Sequence, residues 1–264
     1  MATVLSRYDR GVFFEQLRTA SERLLILDYD GTVAPFSSDR GNALPYSSVP
    51  ELLDCIISTC RTRVVVVTGR PAHQIPALLG LAPHPEIWGV YGLERLHENG
   101  NYELAFRRQT AQKALDAGTK RLEDAGLNEL CEAKPGAIAV HWRGMNATNI
   151  DAVRTIAYQL LAPLACEANL LLAEFDGGLE LRVGAACKGD AVRTLLSEID
   201  QAVPAAYLGD DLSDESAFCA LQGRGLSVLV RPAYRATSAD LWLRPPDDLL
   251  QFLHDWVHMC RGGR

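Results

Sequence analysis

Long apolar runs are missing from this sequence of 264 residues. The longest, such as Leu24–Leu27 and Val64–Val67, fall far short of the roughly 18 residues of a membrane span, so no membrane partner is expected. An apolar signal core is missing too. Arg7, Asp9, Arg10 and Glu15 interrupt the N-terminal segment. Basic residues are in the minority, with 26 Lys and Arg against 33 Asp and Glu and a net charge of −7. That speaks against a predominantly basic nucleic-acid binder. No C-x-x-C pair occurs among Cys55, Cys60, Cys131, Cys166, Cys187, Cys219 and Cys260. Buried free thiols in a reducing cytoplasm fit this odd set better than disulfides or zinc. Low-complexity segments and long repeats are also absent. With 48% hydrophobic and 22% charged residues, a collagen-like, disordered or coiled-coil chain is excluded.

What is present is a set of apolar runs that end in polar residues. Arg23-Leu-Leu-Ile-Leu-Asp28 ends on an acid, Arg63-Val-Val-Val-Val-Thr68 on a hydroxyl, and Ala205-Ala-Tyr-Leu-Gly-Asp210 on a second acid. Runs without alternation suit strands buried on both faces of a parallel sheet. Helical spacing fills the gaps, at Pro50–Thr59, Lys188–Ile199 and Asp214–Leu221. Alternating strand and helix predicts an α/β fold, a Rossmann-like parallel-sheet core with right-handed crossovers. In open α/β sheets ligands bind beyond the carboxyl ends of the strands, so these three ends are candidates to share one site. Asn99-Gly100 signals a hairpin turn between Leu96 and Tyr102.

The middle of the chain has another order. A helix over Ala111–Ala125 closes at Gly126, and Lys134-Pro-Gly136 turns into a strand at Ala137–Arg143. A helix over Thr148–Leu164 precedes a hairpin of Leu170–Glu174 and Leu179–Val183 around Asp176-Gly-Gly178. Helix, strand, strand, twice over, predicts an antiparallel sheet with helices on one face. We read it as an α+β cap over 107–181, inserted between core segments 1–106 and 182–264.

Each strand end carries groups with a use in phosphate chemistry. In Asp28-Tyr-Asp30-Gly31-Thr32, a carboxylate can attack phosphorus if a cation screens the repulsion, and Mg2+ prefers such hard oxygen ligands. A second carboxyl can protonate the leaving alcohol and later activate water. Thr68-Gly69-Arg70 offers a hydroxyl and an amide to a phosphoryl oxygen, or simply an N-cap for the following helix. Lys188-Gly189 opens a helix with a point charge. Gly209-Asp210-Asp211-Leu-Ser213-Asp214-Glu215 is an acidic run suited to a metal, while Ser213-Asp-Glu can also cap the next helix.

In this order the four motifs resemble those of the haloacid dehalogenase superfamily of phosphotransferases. The Asp-Lys-Thr-Gly-Thr pattern of ion-pumping ATPases is absent, and Asp30 is an acid that the dehalogenases themselves lack. Within the superfamily, the chain is similar to the trehalose-6-phosphate phosphatase family. The similarity lies in Leu27-Asp-Tyr-Asp-Gly-Thr-Val-Ala-Pro35, Ala139-Val-His141-Trp-Arg143, Glu180-Leu-Arg182 and Tyr207–Phe218. Departures are Val183 for a common Pro, Trp88-Gly-Val-Tyr-Gly-Leu-Glu for a Gly-x-His-Gly-like turn, and Ser213 for Thr.

The resemblance implies a Mg2+-dependent hydrolysis of trehalose 6-phosphate through an aspartyl-phosphate. It implies Asp28 as nucleophile and Asp30 as general acid and base. Mg2+ would sit on Asp28, the Asp30 carbonyl and Asp210, with Asp211 or Asp214 assisting. Thr68, Gly69 and Lys188 would hold the phosphoryl group. Arg70, His141, Arg143, Glu174, Glu180 and Arg182 are the candidates for the sugar, with the cap closing over a disaccharide. Other expectations are a cytoplasmic monomer, no nucleic acid, a phosphosugar substrate and a separate trehalose-phosphate synthase chain. Two alternatives stay open: a phosphatase of another sugar phosphate, such as a glycosyl-phosphoglycerate or hexose phosphate, and a catalytically silent sugar-phosphate sensor.

Overall fold

The computed structural model of the chain describes residues 3–4, 10–37, 40–104, 109–168, 170–183 and 187–261. Two compact units result: Met1–Tyr102 together with Cys187–Arg264, and Glu103–Ala186. The residues expected as a cap fall within the second unit, although Arg107 itself lies outside the described residues.

The core sheet is built on strands β1 (Thr3–Val4), β2 (Arg23–Leu27), β3 (Thr62–Val67), β4 (Glu86–Gly89) and β5 (Glu94–Leu96), with β6 (Tyr102–Leu104) at its edge where the chain passes into the second unit. The core unit's helices in this first segment are α1 (Arg10–Thr19), α2 (Val49–Thr59) and α3 (Ile75–Leu79). The cap unit has α4 (Gln109–Asp124), β7 (Cys131–Lys134), β8 (Ala137–His141), α5 (Ala147–Ala168), β9 (Leu170–Phe175) and β10 (Gly178–Val183). The core then resumes with α6 (Lys188–Ser197), β11 (Ala205–Gly209), α7 (Glu215–Leu221), β12 (Leu226–Val230), β13 (Leu241–Leu243) and α8 (Asp247–Arg261).

The core sheet runs β1-β13-β12-β11-β2-β3-β4-β5-β6. From β13 to β4 every pairing is parallel, and the pairings of β1 with β13 and of β5 with β4 are antiparallel. The apolar runs lack alternation because both faces are covered. On one face Leu25, Leu27, Val64, Val66 and Leu208 pack with Phe13, Leu53, Phe252 and Trp256 from α1, α2 and α8. On the other, Leu24, Ile26, Val65, Val67 and Tyr207 pack with Val192, Leu195, Phe218 and Leu221 from α6 and α7. Full burial of each such side chain contributes about 1.5–3 kcal/mol.

The strand order matters more than the core itself. β11, β2 and β3 are neighbours, in registers that set Leu208 beside Leu27 and Leu27 beside Val66. The residues that follow these strands, Asp28, Thr68 and Asp210, therefore emerge side by side.

The cap sheet is antiparallel in the order β7-β8-β10-β9. Ile138 of β8 faces α4, where a methyl added to Gly118 would lie 2.8 Å from it and 3.1 Å from Leu161 of α5. Period-two alternation then sends Ala137, Ala139 and His141 to the face away from the helices. All seven cysteines are free, but only Cys60 and Cys260 are buried. The expectation of buried thiols is corrected for the other five, which are partly exposed or exposed. Among the described residues no helix is long and apolar enough to cross a membrane.

Candidate active site

The site assembles at the carboxyl ends of β11, β2 and β3. Asp28 is held in place by its own amide, which donates to the Leu208 carbonyl at 2.8 Å. Its carboxylate is buried. Oδ1 accepts from Lys188 Nζ at 2.6 Å, and Oδ2 accepts from the Thr32 hydroxyl at 3.2 Å. Lys188 reaches it as the first residue of α6. That helix starts there because Cys187 and Asp190 cap each other, Asp190 accepting from the Cys187 amide at 3.0 Å.

Lys188 also donates to Asp214 Oδ1 at 2.7 Å. Asp214 is fully buried and saturated. Tyr207 donates to Oδ1, while the amides of Asp210 and Asp211 donate to Oδ2 at 3.0 and 2.9 Å. Gly209 permits this, since a Cβ there would come within 2.4 Å of the Asp214 carboxyl carbon. Asp211, by contrast, caps the short turn Leu212–Asp214 by accepting from the Leu212 amide at 2.7 Å. The helix expected to be capped by Ser213-Asp-Glu, α7, has Asp214 at its N-cap with no side-chain bond, and the reciprocal cap of Asp211 with Asp214 serves the short turn instead.

One oxygen stands apart. Asp210 Oδ2 is buried and has no hydrogen-bond partner. Oxygens of Asp28, Asp210 and Asp214 all lie within 4.8 Å of one another. Gly31, at φ +86°, lies against this carboxylate, and a Cβ there would meet Oδ2 at 2.4 Å. Three buried carboxylates face one ammonium, with the Arg231 guanidinium 4.0 Å from Asp210 Oδ2, so negative charge stays in excess, an arrangement that costs several kcal/mol per ion unless neutralised. Burial pushes the Asp28 carboxyl up to about 7, with Lys188 opposing and Asp214 and Asp30 reinforcing the rise. Burial, then Asp28 and Asp214, hold Asp210 well above the usual carboxylate range. Burial also works against the charge of Lys188, but Asp214 and Asp28 outweigh it and keep its ammonium firmly protonated. The orphaned oxygen, the glycine cradle and the all-oxygen donor set fit a hard divalent cation that would cancel the excess.

Asp30 does not join this cluster. Its carboxylate is held from both sides by Arg70, with Nε donating to Oδ2 at 2.6 Å and Nη2 to Oδ1 at 2.7 Å. Arg70 thus lies on Asp30, where the sequence suggested a sugar contact. Thr68 is buried, and its Oγ1 accepts from the Arg70 amide at 3.1 Å. It does not cap the following helical turn, whose N-cap is Pro71 with no side-chain bond. The turn replacing the Gly-x-His-Gly pattern packs here as well. The Tyr91 amide donates to the Thr68 carbonyl at 2.9 Å, and the Val90 amide to that of Arg70 at 2.9 Å. Val90 and Tyr91 hold φ of +46° and +58°, a conformation that bulky side chains rarely adopt.

These motifs and their arrangement are matched by the family model "Trehalose-phosphatase", which covers residues 26–244. The chain belongs to the trehalose-phosphatase family. It is 26% identical over 263 residues to "Probable trehalose-phosphate phosphatase 4" of Oryza sativa subsp. japonica, covering 91% of this chain and 68% of the relative. It is 27% identical over 216 residues to "Bifunctional trehalose-6-phosphate synthase/phosphatase" of Thermoproteus tenax, covering 81% of this chain. The chain spans only 29% of that relative's length. In fold it resembles the C-terminal domain of the C. albicans trehalose-6-phosphate phosphatase. The TM-score is 0.80 at 21% identity, over 97% of this chain and 99% of the other.

In the cap unit, the trehalose-phosphatase family member divides its sugar candidates between two places. Glu180 pairs in register with Ala139 and Arg182 with Ala137, so both share the face of His141, away from α4 and α5. Sequence reading missed their neighbours Glu132 and Lys134. Lys134 Nζ donates to Glu180 at 2.9 Å and lies 3.6 Å from Glu132, and His141 lies 3.4 Å from Glu132. The period-two pair Glu132-x-Lys134 before the Pro-Gly turn was the available signal. Glu174 lies elsewhere. It alternates to the helix face and meets Arg154 of α5 at 3.2 Å. Arg143, past the end of β8, donates to the Asp176 carbonyl in the β9–β10 turn. These two therefore line a separate cleft with Trp142, Arg154, Phe175 and Asp176.

Proposed function

We propose that this chain hydrolyses trehalose 6-phosphate to trehalose and phosphate, with Mg2+ as cofactor and Asp28 as nucleophile. The observation that carries this reading is the Asp28 carboxylate, fixed between Lys188 and Thr32 beside the unpartnered oxygen of Asp210. Asp28 and Asp210 would hold the cation, with the hydrogen-bonded Asp214 adding negative charge behind them, and the cation would supply the charge neutralisation that lets a phosphate dianion approach a carboxylate.

The chain's own residues divide the remaining work. An Asp28 oxygen forms a bond to phosphorus as the phosphorus–oxygen bond to the sugar breaks, and a proton from Asp30 goes to the departing oxygen. Arg70 orients Asp30 through its two hydrogen bonds. Asp30 then takes a proton from water, whose oxygen attacks phosphorus and frees Asp28. The Thr68 hydroxyl, the Gly69 amide and Lys188 are the donors for the phosphoryl oxygens.

The polar cap face of Glu132, Lys134, His141, Glu180 and Arg182 suits sugar hydroxyls, which both donate and accept. Glu174 and Arg143 are left out of this role. The family name and the relatives' printed names support the disaccharide. The bifunctional relative supports a synthase as the source of substrate. The free thiols suit a reducing, cytoplasmic location.

Phosphate release from a panel of phosphosugars with Mg2+ tests the reading. Trehalose 6-phosphate is expected to exceed glucose 6-phosphate and glucosyl-phosphoglycerate by about 100-fold or more in kcat/KM. Equal rates on glucose 6-phosphate would overturn the disaccharide reading. Tight binding of trehalose 6-phosphate without turnover would make the chain a sensor instead.

A further inference from the structure

The segment after β12 carries a guanidinium that the proposed chemistry does not use. Arg235 Nε donates to the Asp210 carbonyl at 3.3 Å, and Nη2 donates to the Asp211 carbonyl at 2.7 Å. Nη1 donates to the Ala236 carbonyl at 2.9 Å and to Glu215 Oε1. Glu215 is itself anchored, accepting from the Thr237 hydroxyl and the Ser238 amide, each at 2.8 Å. A rigid fork of donors thus spans the two consecutive acids and ties them to a fixed carboxylate.

The geometry completes a pattern begun by Asp214. Asp214 holds the amide sides of Asp210 and Asp211, and Arg235 holds their carbonyl sides, joined at the Asp210 carbonyl by Arg231 Nη1 at 3.4 Å. With both ends of the peptide units fixed, the Cα–Cβ direction of Asp210 is fixed too. Without that restraint, a carboxylate within 4.8 Å of two others would turn away to relieve repulsion.

We infer that Arg235 is a positioning residue that keeps the Asp210 carboxylate aimed at Asp28 and Asp214, so that a divalent cation meets a preformed site. This rests on reading the acidic cluster as a cation site. Simple Coulomb repulsion predicts the opposite sign. A guanidinium beside a cation site weakens it, and Arg231 already stands 4.0 Å from Asp210 Oδ2. Removing Arg235 tightens cation binding if charge dominates and weakens it if positioning dominates.

The test measures Mn2+ binding to the full chain without substrate, from the signal of free Mn2+ in electron paramagnetic resonance. Wild type is expected to bind Mn2+, and Asp210→Asn to lose it. Arg235→Ala is expected to raise the Mn2+ Kd about 10- to 100-fold, the usual effect of removing a partner behind a ligand. Arg235→Lys should fall between, since an ammonium can still hold one carbonyl. At saturating Mn2+, KM for the phosphosugar is expected to stay near wild type in Arg235→Ala. An unchanged or lower Kd in Arg235→Ala overturns the inference and leaves the cation site standing. No Mn2+ bound by wild type overturns the cation site itself. Thermal melts check folding, and if Arg235→Ala is unstable, Arg235→Lys, which keeps the charge and loses the fork, carries the comparison: a raised Kd supports positioning and an unchanged Kd overturns it.

Discussion

The acidic cluster of the core unit and the polar face of the cap unit both set carboxylates beside cations, but only one of them is balanced. In the core, Asp28, Asp210 and Asp214 face one ammonium, with Arg231 4.0 Å from Asp210, and one buried oxygen has no hydrogen-bond partner. In the cap, Glu132 and Glu180 face Lys134 and Arg182, with Lys134 at 2.9 Å and Arg182 at 3.8 Å from Glu180. An unbalanced cluster is suited to take up charge, first a cation and then a phosphate. A balanced one has no net charge to offer and can only exchange hydrogen bonds. Neutral hydroxyls are the partners for such a surface. The two regions thus differ in charge balance before any substrate is considered.

The sharpest break of this comparison is Asp28→Asn. Without the nucleophile, kcat is expected to fall on the order of 10^4-fold or more, measured as phosphate release from trehalose 6-phosphate. Substantial Mg2+-dependent turnover by this variant would show that Asp28 is not the attacking group.

Lys188→Met removes the only ammonium from the core cluster. Breaking a buried pair costs about 3–5 kcal/mol, because the carboxylates left behind stay desolvated. The denaturation midpoint should drop accordingly, and Mg2+ should recover part of the loss. Lys134→Met in the cap should also destabilise, but with no recovery by Mg2+. If Mg2+ rescued both variants equally, the contrast between the two regions would collapse.

Much of the core was legible in the sequence for a simple reason. Asp28, Thr68 and Asp210 each follow an apolar run directly, so the strand that positions the residue also announces it. What could not be read was which strands are neighbours, since the order β11-β2-β3 is a tertiary fact. The Arg70–Asp30 pair and the Arg235 fork are hidden for the same reason, each joining segments with no common pattern. The cap was harder. Its helices and hairpin show in the periodicity, yet β7 has no apolar run, and Glu132 and Lys134 went unnoticed. Glu174 and Glu180 look alike in sequence, and only the register of β9 and β10 puts them on opposite faces.

That register gives the next test. Glu180→Gln is expected to raise KM for trehalose 6-phosphate about 10- to 100-fold, the range for losing one charged hydrogen-bond partner to a substrate hydroxyl, with kcat falling far less. Glu174→Gln, on the helix face, is expected to leave KM near wild type. Equal effects would mean that the face away from the helices is not the recognition surface.

The smallest effect concerns the loop around Asp210 and Asp211. Burial alone would raise the Glu215 carboxyl, but the Ser238 amide, Arg235 and Thr237 outweigh it and hold it below its ordinary value of 4.5. A carboxyl lowered in the folded state adds stability that is fully present above the unfolded value. That stability is lost as pH falls through the folded one. The window therefore lies below about pH 4.5, on the acid side. Glu215→Gln should flatten that limb of the melting curve for the metal-free protein and change little at pH 7 beyond the loss of one anchor. Solvent reaches this pair, so the pH-dependent part is expected to be on the order of 1 °C in Tm. A Glu215→Gln variant with the same acid slope as wild type would remove Glu215 from the acid response and leave it as a purely geometric anchor for Arg235.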